Sequence, residues 1–211
     1  MTCGVDEAGR GPLAGPVTAA AVILPADFPV EILDDSKKLG ASRREALVPV
    51  IRSSSIAWAV GWASHVEIDR LNILRASHLA MLRAVTALRV RPREVVVDGS
   101  VVPELGMPVR AVVKADATIP EVMAASILAK VARDRWMTAY ARLEPVYEFE
   151  THKGYPTRRH RELIARHGAS AIHRFSFRSP ADPVPTASDR RSADAAEAAW
   201  ASRARPSCGP I

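Results

Sequence analysis

The chain has little of what staples or anchors a fold. It carries two cysteines in 211 residues, Cys3 and Cys208, near opposite ends and in no Cys-x-x-Cys or Cys/His grouping. That argues against a disulfide framework or a thiolate zinc site, and the expectation is a reduced, cytoplasmic protein. The longest apolar run, Val17 to Leu24, falls far short of the ~20 residues that span a bilayer. A signal peptide is not expected, because Asp6, Glu7 and Arg10 interrupt the amino terminus where its apolar stretch would lie. No Gly-x-x-x-x-Gly-Lys-Ser/Thr string is present, which removes the usual nucleotide-hydrolysing loop. No internal repeat is visible either, so solenoids and propellers drop out.

What remains is an ordinary globular composition, 48% hydrophobic with a mean hydropathy of zero. A chain of this length can bury roughly 70% of its unfolded surface and needs no staple. Its formal charge is +6, and the excess is local. Between Thr151 and Arg178 lie seven basic residues (Lys153, Arg158, Arg159, Arg161, Arg166, Arg174, Arg178), one acid (Glu162) and four of the six histidines. A basic face of this kind attracts polyanions, so nucleic acid is the first partner to consider. A solvated helix surface is the plain alternative.

Apolar runs at Thr2–Val5, Val17–Leu24 and Ile56–Ala63, with short spacers, suggest three neighbouring antiparallel strands. Glu94–Asp98 and Val109–Val113, each flanked by helical patterns, favour parallel pairing under helices. The fold class is therefore α/β, with a mixed sheet flanked by helices. Helices are expected over Arg43–Ile51, capped by Ser42 with Glu45, and over one long stretch after the Ser64/Glu67 capping box as far as Arg89. Two more should run from Pro120 toward Arg142 and from Thr157 to His167, the latter ended by Gly168. Residues 1–179 read as one catalytic domain with a helical carboxyl-terminal part. Residues 180–211, rich in Pro, Ala and Ser, read as a disordered tail.

The sharpest local feature is VDEAGRGPLAGPV, Val5 to Val17. Two adjacent acids end a buried strand, and strand alternation forbids both from facing solvent cheaply. A cation or a bend must resolve the conflict. Gly9-Arg10-Gly11 lets backbone approach a ligand closely and presents amide donors. Asp98 adds a third acid at the carboxyl end of a strand, where α/β sheets bind ligands, although Asp-Gly is also a common turn. Asp116 is a fourth, before the Pro120 helix, where an acid can equally serve as a cap. Four carboxylates within ~4 Å would repel by roughly 4 kcal/mol per pair at an effective dielectric of 20. Such a cluster takes up protons or hard divalent ions, Mg²⁺ or Mn²⁺. Two such ions suit phosphodiester chemistry, so a metal-dependent nuclease or phosphoryl-transfer enzyme is expected.

The chain resembles bacterial ribonuclease HII over residues 3–178. The likeness rests on DEAGRGPLAGPV (Asp6–Val17), DDSKKL (Asp34–Leu39), VVVDG (Val95–Gly99), VVKAD with AASILAKVARDR (Ala124–Arg135), HKGYPT (His152–Thr157) and HRFSF (His173–Phe177), in that order. It implies a ribonuclease H-like fold in which Asp6, Glu7, Asp98 and Asp116 bind two divalent ions, Mg²⁺ or Mn²⁺. Gly9, Arg10 and Gly11 would recognise the 2′-hydroxyl of a ribonucleotide, and Tyr155 would pack on the sugar of the following deoxynucleotide. Ser36, Lys37 and Lys38 could hold backbone phosphates or simply form a polar loop. Lys130, with Arg133 one turn on, could contact phosphate or make surface pairs. The implied activity is endonucleolytic cleavage of RNA–DNA hybrids and of single ribonucleotides in duplex DNA, 5′ of the ribonucleotide, leaving 3′-hydroxyl and 5′-phosphate ends. A monomer is expected. The catalytic string starts at Val5, so the extra amino-terminal domain of ribonuclease HIII is not expected. A non-catalytic binding module would need the basic stretch but not the acids.

Overall fold

The computed structural model describes residues 1–33 and 40–177, together with Ala195. The expected tail and the DDSKKL loop, with Ser36, Lys37 and Lys38, therefore lie outside the described residues. Along the chain run β1 (Thr2–Ala8), β2 (Val17–Ile23), α1 (Ala41–Ser54), β3 (Ala57–Ala63), α2 (His65–Leu71), α3 (Ile73–Thr86), β4 (Glu94–Asp98), β5 (Val109–Val112), α4 (Pro120–Tyr140), α5 (Phe149–His152) and α6 (Arg158–His167). The chain divides into two compact units. The first comprises Met1–Ala8, Thr18–Trp62 and Ser77–Arg133, and the second Gly9–Val17, Ala63–Ala76 and the described residues from Asp134 onward.

The first unit is built on a five-stranded sheet in the order β3-β2-β1-β4-β5. β1 and β2 are antiparallel, with Gly4 opposite Val22 and Ala8 opposite Thr18. β1 and β4 are parallel, with Thr2 level with Glu94 and Val5 with Val97, and β4 and β5 are parallel as well. The Ile56 amide, just before β3, donates to the carbonyl of Ile23 at the end of β2, so β3 returns antiparallel to its neighbour. The mixed sheet read from the apolar runs is thus the observed one. β4 lies inside the sheet, between β1 and β5, and reads accordingly, with Val95, Val96 and Val97 fully buried.

Helices cover both faces. Leu47, Val48 and Ile51 of α1 and Ala124, Ala125, Ile127, Leu128 and Val131 of α4 form one core with Ala20 and Val22 of β2. Trp58 and Val60 of β3 pack against it, and Gly61 faces the other way, onto α3. Two glycines permit this close packing. A Cβ on Gly4 would stand 2.2 Å from the Glu121 carbonyl carbon of α4, and one on Gly61 would stand 2.1 Å from the Ala80 oxygen of α3. Neither clash involves a flexible side chain, so only glycine fits. Cys3, next to Gly4, is fully buried, and desolvation pushes its thiol up to about 12.

Three expectations need correction. β1 does not end at Val5 but continues to Ala8, because β2 goes on pairing with Asp6, Glu7 and Ala8 beyond the Val5–Val97 pair with β4. α1 starts at Ala41 with Gly40 as its cap, so Ser42 sits inside the first turn and no Ser42/Glu45 box closes the end. The stretch after Ser64 is two helices. The Ser64/Glu67 box forms, but Asn72, at φ +69°, breaks the chain, and its Oδ1 accepts from the Arg75 amide at 3.1 Å to start α3.

The second unit packs around aromatic and aliphatic side chains: Ala14, Met137, Ala141, Tyr147, Phe149, Leu163 and Ile172, with Trp136 and Tyr140 at its edge. Thr157 caps α6 by accepting from the His160 amide, and Gly168 closes it, as the sequence indicates. No helix among the described residues is long and apolar enough to cross a membrane.

Candidate active site

The four acids all belong to the first unit. Asp6 follows Val5 of β1, and Asp98 follows Val97 of β4. Val5 and Val97 are level in parallel strands, and the residues that follow this last pair, Asp6 and Asp98, point to the same face as Gly4 and Val96. In-register neighbours of adjacent strands lie about 4.8 Å apart and share a face. That face carries α4. Gly4 abuts Glu121, Val96 packs with Val122 and Ala115, and Ser126 hydrogen-bonds to Asp6. Asp98 accepts from the Ala115 amide at 2.8 Å, which pins a 3₁₀ turn, Ala115–Ala117, to the end of β4. Asp116 lies in that turn and is 3% exposed.

Asp6 is 6% exposed, and its carboxyl is held well above the usual carboxylate range. Burial is the main cause, followed by the charge of Glu7; the hydroxyl of Ser126 and the amide of Glu7, at 2.8 Å, pull the other way, and Asp98 adds to the rise. The Asp6 carboxyl thus resists ionisation because of burial and neighbouring acids. The donors of these acids are all oxygen, which suits a hard divalent cation rather than zinc. Among the described residues no three acidic, histidine or cysteine side chains stand close enough to hold an ion as they are oriented. Binding would therefore require rotation of carboxylates about their side-chain torsions.

The other sequence-marked residues divide between the units. Lys130 is half-buried on α4, and its neighbour Arg133 is fully buried rather than on the surface. Gly9, Arg10, Gly11 and Tyr155 belong to the second unit. Gly9 is buried with φ +99°, a conformation open to glycine, whereas Arg10 and Gly11 are exposed. Tyr155 is 37% exposed. Its carbonyl accepts from the Thr157 amide at 2.8 Å, and Pro156 between them fixes the turn.

The expected basic face is thinner than its charge count. Arg158 pairs with Glu162 and Arg159 with Glu148, while Arg174 is 2% exposed. Arg161 and Arg166 are exposed on α6. Three of the histidines are interior, not charged surface. The rings of His152 and His160 stack at 4.2 Å, and His160 Nε2 lies 3.1 Å from His173 Nε2. The Ser170 amide donates to His173 Nδ1 at 2.7 Å, so His173 carries its proton on Nε2 and gives it to His160. His160 in turn donates from Nδ1 to the Tyr155 carbonyl at 2.9 Å. Burial, reinforced by the neighbouring histidines, lowers His160 to about 4 and His173 to about 3. Counting basic residues misses this network. The spacing His160-x-x-Leu163, an apolar stripe on an otherwise arginine-rich helix, was the available signal that this histidine faces inward.

A mixed five-stranded sheet in this order, flanked by helices, is the ribonuclease H fold. The comparisons agree. The chain is 28% identical to the RNase HII in a solved complex of PCNA and RNase HII from Archaeoglobus fulgidus, with a TM-score of 0.72 over 90% of this chain and 99% of that one. It is 58% identical to the ribonuclease HII of Laribacter hongkongensis over 177 residues, 83% of this chain and 89% of the relative. The ribonuclease HII of Dechloromonas aromatica is 53% identical over 84% of this chain and 90% of its own length. The family model for ribonuclease HII matches residues 3–179, and the chain belongs to that family. Membership makes it a metal-dependent endonuclease of the ribonuclease H type acting on RNA-containing nucleic acid.

Proposed function

We propose that the chain cuts the RNA strand of RNA–DNA hybrids and incises duplex DNA at single embedded ribonucleotides, on their 5′ side, leaving 3′-hydroxyl and 5′-phosphate ends. Removal of ribonucleotides from DNA is the role that such an activity serves. The observation that supports the reading is the buried Asp6 carboxyl, raised by burial and by the charges of Glu7 and Asp98, with Asp6 and Asp98 each following the level pair Val5 and Val97. Asp6, Glu7, Asp98 and Asp116 would hold two divalent ions, Mg²⁺ or Mn²⁺. When bound, such ions activate water and stabilise the leaving oxygen of a phosphodiester.

The chain's own groups do the selecting. Telling RNA from DNA at one position depends on the 2′-hydroxyl, and backbone amides on the Gly9-Arg10-Gly11 loop reach where side chains would crowd. A site built around one hydroxyl discriminates strongly, because its polar partners stay unmatched when the hydroxyl is missing. The Tyr155 ring offers an apolar face to the neighbouring deoxyribose. Lys130 supplies charge for a phosphate.

The test is end-mapped cleavage of a DNA duplex carrying one ribonucleotide, with Mg²⁺ or Mn²⁺ or with chelator. Wild type should cut once, 5′ of the ribonucleotide, only with the ion, and Asp98→Asn should not cut while still binding the duplex. Cutting with chelator present, or full activity of Asp98→Asn, would sink the metal assignment.

A further inference from the structure

Arg174 comes from HRFSF, a motif to which the proposed function assigns no part. It is among the largest fully buried side chains of the protein, and its guanidinium reaches back some 160 residues along the sequence. Nε donates to the Gly15 carbonyl at 2.9 Å, and Nη1 to the Arg10 carbonyl at 3.0 Å. Nη2 donates to the carbonyls of Gly9 at 2.6 Å and Pro16 at 3.1 Å. One side chain thus gathers four carbonyls of a single loop, Gly9 to Pro16. The Phe177 ring covers the guanidinium at 5.0 Å. The backbone completes the grip: the Arg174 amide donates to Leu13, and the Gly15 amide to Ile172.

The consequence follows from the planar trans peptide. In each unit the C=O of one residue and the N–H of the next point in opposite directions. Carbonyls of Gly9 and Arg10 turned inward onto Arg174 therefore turn the amides of Arg10 and Gly11 outward. Both residues are exposed, and open space surrounds Gly11. A flexible glycine loop would sample many orientations of those amides; a planar fork of donors selects one. Lysine, with one nitrogen, cannot span four acceptors.

We infer that Arg174 is a positioning residue for ribose recognition, holding the Gly9–Gly11 amides in the orientation that meets a 2′-hydroxyl. The inference rests on the reading of that loop as the ribose sensor. It assigns Arg174 no contact with substrate.

Arg174→Lys and Arg174→Gln are assayed on a DNA duplex carrying one ribonucleotide, with the same duplex lacking it as competitor. Arg174→Lys should lower kcat/KM about tenfold or more, the scale of a lost hydroxyl contact. Ki of the all-DNA competitor should stay within about twofold, since phosphate contacts do not depend on the loop's amides. Arg174→Gln should move kcat/KM further in the same direction, and if it does not fold, the lysine variant decides. The inference is overturned if Arg174→Lys fails to fold, keeps wild-type kcat/KM, or loses both substrates equally. Gly11→Ala, run alongside, separates the two ideas. If it is impaired while Arg174→Lys is normal, the clamp fails and the loop reading stands; if Gly11→Ala is itself normal, the loop reading fails.

Discussion

Two groups of titratable side chains in this protein have opposite relations to their surroundings. At the end of β1 and β4, Asp6 is buried beside Glu7 and near Asp98, and its environment resists the charge it would carry at neutral pH. Around α6, His152, His160 and His173 are also buried, but each is neutral, and each ring has partners for its nitrogens. Burial raises the first group and lowers the second for the same reason, the cost of a charge away from water. The histidines meet that cost by giving up the charge and knitting the backbone together. At Asp6 the neighbouring acids add to that cost, and hydrogen bonds from Ser126 and the Glu7 amide offset part of it. A polar network that satisfies itself is scaffold; carboxyls crowded together with perturbed titration are the arrangement expected of a functional site.

The largest effect separating the two should come from Asp6→Asn. Cleavage should fall about a thousandfold or more, roughly 4 kcal/mol of barrier, while the melting temperature stays level or rises, because an amide is cheaper to bury than a carboxylate. A variant that melts earlier and still cuts would show that Asp6 is as well satisfied as the histidines, and the contrast would fail.

Acid titration sharpens the other side. His160 and His173, at about 4 and about 3, lie below the ordinary histidine value of 6.5. The unfolded chain therefore binds more protons between those limits, and stability falls as pH drops below about 6.5, levelling off only below the folded values. Going from pH 7 to pH 5 should cost up to about 2 kcal/mol per histidine, read by urea unfolding. Facing them are His152, His65 and Arg161, all disfavouring the added charge. Asp6 has the opposite sign, since its raised carboxyl binds a proton more readily in the fold and offsets part of the loss. The slope should shrink in His160→Gln. An unchanged slope would mean that the histidines already carry charge in the fold.

The smallest effect belongs to the exposed pair of Arg159 with Glu148. Solvent screens it, and Arg159→Ala should leave the melting temperature unchanged within error. A clear drop would mean that the surface of α6 matters to the scaffold as much as its buried stripe does.

The sheet was legible because period-2 apolar runs and the fully apolar Val95–Val97 report burial directly. The acids were legible because charge at the end of such a run contradicts its surroundings. Residues within each element's local pattern were read correctly, as at Thr157 and Gly168 of α6. Ser42 was misread because Ser-x-x-Glu is permissive, and Gly40, two residues earlier, took the cap. The Asn72 break was hidden because asparagine adopts positive φ at modest cost and the apolar periodicity resumes behind it. The buried roles of Arg174 and the three histidines depend on partners far away in sequence, and counting charges treats a buried cation and a solvated one alike.

Cys3 lies in the same strand as Asp6, three residues earlier, with its sulfur sealed from water. With the thiol near 12, only about one molecule in 10⁵ would present a thiolate at pH 7. Alkylating reagents and peroxide have almost nothing to attack there. The strand that bears the first two acids is thus chemically silent at this sulfur, and oxidative stress that disables exposed-thiol enzymes would pass it by.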